Sequence, residues 1–238
     1  ATWAPAISAL VLLLYYAGLS GVKGFLSRLL LWRCSPAWAT FIFIGIPLVY
    51  VAGSLIKGGP VLAPLPSEGV VALIPTLLVM LFLGPIEEFG WRGILQPLLQ
   101  RKMAPFWAGL VVGIIWATWH LPVFLFGGGV QYDAWPIVPF YGGVIALSII
   151  LTPMFNSARG SLLIAYLYHF QMMNPIWPDG QPWDNLLFGV VAVIVVVLNR
   201  RTMFRKGTGV TEVLTPEQSS NLALGTDEMS PNHPSTVG

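Results

Sequence analysis

The sequence predicts an all-α fold, a polytopic transmembrane bundle of about seven helices. Three observations carry that prediction. Of 238 residues, 55% are apolar and only 9% are charged, whereas a soluble domain carries about 25% charged residues. The charges are also displaced toward the end, with 14 in the first 199 residues and 8 in the last 39, so the body is more apolar than the average. Apolar runs recur, finally, at lengths suited to the ~20 helical residues that cross a hydrocarbon core. Such a composition excludes an ordinary cytosolic enzyme. A net charge of +2, broken up by apolar runs, excludes a nucleic-acid surface. The single Cys34 excludes an internal disulfide framework and an all-cysteine metal site.

The runs fall in order at Ala4–Ser20, Ala37–Leu55, Val70–Pro85, Phe106–Phe126, Trp135–Phe155, Ser161–Met173 and Leu186–Leu198. Three are short and need tilt, flanking polar turns or local thinning of the bilayer. The first lacks the layout of a cleavable signal and is expected to remain in the mature protein, while the missing initiator Met points to processing or trimming. Cytoplasmic loops are enriched in Lys and Arg, which tests the count independently. Lys23, Arg28 and Arg33 follow the first run; Arg92, Arg101 and Lys102 the third; Arg159 the fifth; Arg200, Arg201, Arg205 and Lys206 the last. Only Lys57 falls on the other side, so the N-terminus is expected outside and the C-terminus in the cytoplasm. The expected setting is a cell membrane, taken as a bacterial inner membrane. Residues 1–200 form the membrane domain in this reading. Residues 201–238 form a cytoplasmic tail, expected to be disordered because from Gly207 onward it mixes Ser, Thr, Pro, Gly and acids with few large apolar residues.

Ionisable residues within a span are costly and mark function by default. Glu87, Glu88 and Arg92 stand in the sequence GPIEEFGWRG at the end of the third run. Glu88 and Arg92 are one turn apart and can neutralise each other. Glu87 is rotated by about 100° and needs a partner of its own. His120, in WATWHLP, follows Trp116 by four residues, so the indole can stack on the imidazole. Pro122 is expected to break the helix beyond it. Farther on, Asn156 or Ser157 reads as the cap of the sixth helix, Arg159 as a topology anchor, and His169 and Asn174 as polar groups at the far end of the sixth run. Ten Trp and seven Tyr read mostly as interface and packing residues.

Paired glutamates with an arginine, an aromatic four residues before a histidine, and a second histidine with a nearby asparagine resemble the CAAX-prenyl-protease-like intramembrane peptidases. These are relatives of the Rce-type CAAX protease, whose bacterial members are called CPBP or Abi proteins. The resemblance covers roughly Val70 to Asn174. One departure is that the family's Asn or Asp four residues after the second histidine is Met173 here, with Asn174 one place later. The resemblance implies a membrane endopeptidase acting on a peptide or protein substrate. Glu87 would be the general base, His120 would position the water and shuttle its proton, Arg92 would orient Glu87 and Glu88 or the substrate carbonyl, and His169 with Asn174 would face the oxyanion.

The same side chains leave other chemistry open. Zinc or another divalent metal would draw on Glu87, His120 and His169 from three separate spans, since no HExxH helix is present. A proton-coupled transporter also uses buried Glu and His, but calls for inverted repeats, and none stands out. A catalytically silent scaffold of the same fold is the third reading. Neither Ser161 nor Cys34 lies in a nucleophile motif.

Overall fold

In lipid an apolar side chain gains nothing by hiding, so the fold is set by where backbone and polar side chains find partners. The computed structural model describes residues 2–67, 69–127 and 135–214, and all regular structure among them is helical. The runs are α1 (Ala4–Leu30), α2 (Pro36–Ile56), α3 (Val70–Gln100), α4 (Pro105–Phe126), α5 (Ile137–Ser157), α6 (Leu162–Met172), α7 (Trp183–Leu198) and a single turn, α8 (Arg200–Met203). The first five are long and apolar enough to cross a membrane, judged by length and composition. With 11 and 16 residues, α6 and α7 fall short of a core about 30 Å thick at ~1.5 Å per residue.

The bundle is built around α5, which has α4 on one side and α7 on the other. Small residues let α4 and α5 approach closely, and Ser148 donates to the Gly109 carbonyl at 2.8 Å. Next to α7 lies α2, while α1 packs on the middle of α3. The short α6 sits inside, against α1, α3 and α5, with Leu162, Ala165 and Tyr168 fully buried.

The turns after α1, α3 and α5 and the chain after α7 gather at one end. Arg28, buried there, donates from Nε to the Gly160 carbonyl at 2.9 Å and from Nη1 to the carbonyls of Gly93 and Val213 at 3.0 Å. At the other end Lys57 pairs with Asp179 at 2.7 Å, and Ala63 N–H donates to the Ile176 carbonyl. The helices therefore alternate in direction, as the spacing of the basic residues requires.

Several boundaries differ from expectation. Instead of stopping at Ser20, α1 continues to Leu30 and bends at Gly18, whose φ of 61° suits glycine. Rather than ending at Pro85, α3 runs through the glutamates to Gln100. Pro122 does not end the helical path, because the turn falls at His120 and Leu121–Phe126 is helical again. The cap of α6 is Ser161, which accepts from Ile164 N–H and donates to the Leu31 carbonyl. Asn156 instead exchanges hydrogen bonds with Gln100 and accepts from Val210 N–H. The expected loose tail begins, over 207–214, as a fixed strap. Gln100 donates to the Val210 carbonyl at 2.7 Å, and Arg101 donates to the Thr211 carbonyl at 2.8 Å. Residues 215–238 lie outside the described residues.

Candidate active site

The site begins with a change of pitch in α3. An α-helical stretch ends at Leu83, the chain bends at Gly84, and Pro85–Glu87 form a tight 3-10 turn. A π-helical turn follows at Trp91–Leu95. Pro85 has no N–H to continue the ladder, and π turns shift side chains around the axis, which is why they recur at functional positions. The result is two polar pairs side by side, Glu87 with Trp91 and Glu88 with Arg92, each four residues apart.

Glu88 and Arg92 are both wholly buried. The Arg92 Nη1 lies 3.1 Å from each carboxylate oxygen and donates to Oε1, as the spacing predicts. The same Oε1 is 2.7 Å from His169 Nδ1 on α6. A carboxylate oxygen that already takes an arginine N–H accepts here as well, so Nδ1 carries the hydrogen and Nε2 is the nitrogen left for other contacts. That Nε2 lies against Gly84, where an added Cβ would stand 2.8 Å away and would also strike Met173 Sδ. Only a residue without a side chain leaves this space open.

Glu87 is 4% exposed, and its partners are indoles. Trp91 Nε1 donates to Oε2 at 3.2 Å and Trp116 Nε1, from α4, donates to the same oxygen at 3.0 Å. Trp116 also lies 5.0 Å from the His169 ring and 5.0 Å from the Arg92 guanidinium over its face. Its backbone carbonyl receives the Nδ1–H of His120 at 2.8 Å. The expected stacking of Trp116 on His120 is loose, with ring centroids 6.1 Å apart, so this carbonyl is what orients His120. Since a carbonyl can only accept, His120 is the Nδ1–H tautomer when neutral, with Nε2 as its basic nitrogen.

Asn174 stands apart from this group. Its amide donates to Gln171 at 3.3 Å and its carbonyl oxygen accepts from Ile176 N–H at 3.1 Å across Pro175. These bonds close the end of α6, and Tyr50 from α2 donates to the Met172 carbonyl at the same place. Arg159 likewise lies away from the carboxylates, in the turn between α5 and α6 with φ of 55°. Among the described residues no group of three or more His, Cys, Asp or Glu side chains is arranged to hold a metal ion. Glu87 Oε2 is taken by two N–H donors, and both histidine Nδ1 atoms are engaged.

Sequence reasoning passed over Trp91 and Gln96. Trp91 could have been found, because it stands at the same four-residue spacing from Glu87 as Arg92 from Glu88. Gln96, fully buried one turn beyond Arg92, continues that polar face.

Residues 69–174 match the family model for type II CAAX prenyl endopeptidases, Rce1-like. Over this segment the chain is similar to the CAAX-protease-like family. A CAAX prenyl protease 2 from Methanococcus maripaludis is 27% identical to it over 143 residues, 56% of this chain and 53% of that protein. The chain thus spans about half the length of this curated relative. The matched segment runs from the start of α3 to just beyond α6 and contains Glu87, Glu88, Arg92, His120, His169 and Asn174. Outside it, α1 supports the site from behind: Pro5 packs so tightly on Gly90 that an added Cβ would lie 2.6 Å from the proline ring.

Proposed function

We propose that the chain is an intramembrane endopeptidase that hydrolyses a peptide bond with water activated by Glu87 and His120. The observation that carries this reading is a buried carboxylate with one oxygen held by two indoles and the other without a hydrogen bond among the described residues, where one of those indoles, Trp116, lies 5.0 Å from the His169 ring and fixes Nδ1 of His120 through its backbone carbonyl. Glu87 Oε1 takes a proton from water as the water oxygen attacks the scissile carbonyl. His120 Nε2 helps to orient that water and relays the proton to the leaving amine. His169, held by Glu88, faces the oxyanion through Nε2, and Arg92 neutralises Glu88. Asn174 ends α6 in this reading and does not touch substrate. Water is activated by protein groups in this reading, and metal-bound water is the alternative that a chelator separates from it.

The substrate is a peptide or protein at the membrane, and the relative's name favours a prenylated C-terminus as the first probe. The basic end of the bundle, with the C-terminal strap, faces the cytoplasm. The test uses proteoliposomes and a quenched-fluorescent, farnesylated C-terminal peptide. Glu87→Gln and His120→Ala should each lower turnover by about 10²–10⁴-fold, the usual contribution of general acid–base groups, with unchanged thermal unfolding in detergent. A chelator should leave the wild-type rate unaltered. Cleavage at the normal rate by Glu87→Gln would overturn the assignment. Proton-coupled solute uptake without cleavage would favour the transporter reading.

A further inference from the structure

We infer that Trp91 and Trp116 form a two-indole clamp that selects which oxygen of Glu87 meets the water; this rests on the reading of Glu87 as the base. A carboxylate oxygen has two lone pairs, and an indole N–H can only donate. The N–H groups of Trp91 and Trp116 reach Oε2 from different helices, at 3.2 and 3.0 Å. Both distances lie within the ordinary hydrogen-bond range. Between them they occupy Oε2, and Oε1 becomes the oxygen that can take a proton without breaking a bond. Rotating the carboxylate out of this plane would break both hydrogen bonds at once, in surroundings with little water to replace them, and a half-turn only exchanges two equivalent oxygens, so the open oxygen stays on the same side.

The clamp also sorts the two adjacent acids. Glu88 is held by Arg92 and His169, both cationic or able to become so. Glu87 is held by neutral donors that cannot exchange a proton with it. Trp116 joins the two systems without a hydrogen bond between the acids, because its face covers Arg92 while its edge serves Glu87. Trp91 is itself braced edge-to-face by Trp119, with centroids 6.1 Å apart. Both are positioning residues: they act through Glu87 and do not contact the reacting atoms.

Phenylalanine keeps the ring and removes the donor. Trp91→Phe and Trp116→Phe should each lower kcat about tenfold with KM within twofold, and the double variant should fall at least 30-fold. Trp107→Phe, at an exposed position on α4, serves as the control and should remain within twofold. A second measurement does not depend on turnover. In protein carrying ¹⁵N-labelled indoles in detergent micelles, the Trp91 and Trp116 N–H resonances should move together, with one midpoint, as pH is varied. That shared movement should vanish in Glu87→Gln.

If both single variants keep normal kcat while Glu87→Gln is inactive, the base assignment stands and the clamp is refuted. If Glu87→Gln is active, the base assignment fails, and the shared indole titration decides whether the clamp exists. Should either phenylalanine variant fail to fold, the wild-type titration still decides: independent midpoints, or none, overturn the clamp.

Discussion

The two halves of α3 share one helical run and have opposite surroundings. From Leu73 to Leu83 the helix is almost wholly apolar, and not one of these residues is buried. From Pro85 to Gln100 it carries Glu87, Glu88, Arg92, Gln96 and Gln100, and all five are buried. In a water-soluble protein the order would be reversed. Lipid tails solvate Leu and Val as well as a protein core does, whereas a charge exposed to them has no partner, so polar residues turn inward and apolar ones face out. Gly84 and Pro85 mark the boundary, and the change of pitch there lets the second half address α1, α4 and α6 together.

The strongest way to break this contrast is to strand a charge in the second half. Arg92→Ala leaves Glu88 buried without its cation and should cost about 3–5 kcal/mol, seen as a large drop in the unfolding temperature in detergent. Adding Glu88→Gln should return part of that loss. An unchanged midpoint for Arg92→Ala would show that this half is not a buried polar core.

The junction should respond less and in a different way. Gly84→Ala introduces a Cβ against Met173 and 2.8 Å from His169 Nε2, an overpacking that costs about 1–3 kcal/mol. Adding Met173→Ala should recover stability, because the long thioether is removed. Turnover should remain low, because the imidazole is still displaced. Recovery of both together would mean that the space beside Nε2 plays no part in the reaction.

The smallest effect belongs to the first half. Leu78 is 54% exposed, and Leu78→Ala should change stability by no more than about 0.5 kcal/mol. A loss several times larger, measured in the same detergent, would mean that another protein surface covers this face and that the two halves are less different than they look.

Much of this architecture is legible in the sequence because its causes are local. Apolar run length marks the helices, and basic residues mark alternate turns. The spacing of Glu88 and Arg92 gives their pair, since four residues return to the same helix face. Boundaries are legible only in part. The glutamates look like the end of a span, because charges usually end one, but α3 continues through them once α1, α4 and α6 enclose its polar face. Likewise, Gly207 to Leu214 has the composition of a loose tail and is held by Gln100, Asn156, Arg101 and Arg28 from distant helices.

The sequence by itself therefore determines a helical membrane bundle, its alternation, and the ionisable residues within the spans to which the proposal assigns chemistry: Glu87, Glu88, Arg92, His120 and His169. Only the tertiary structure decides how they are partnered. Trp116 is 29 residues from Glu87 and His169 is 81 from Glu88, separations that no helical period can encode. It is also the tertiary structure that gives Asn174 to Gln171 and Ile176 instead of to His169. The physical reason is range: helix period and hydropathy act within a few turns, whereas a buried carboxylate takes whatever donor the packing of other helices brings to it.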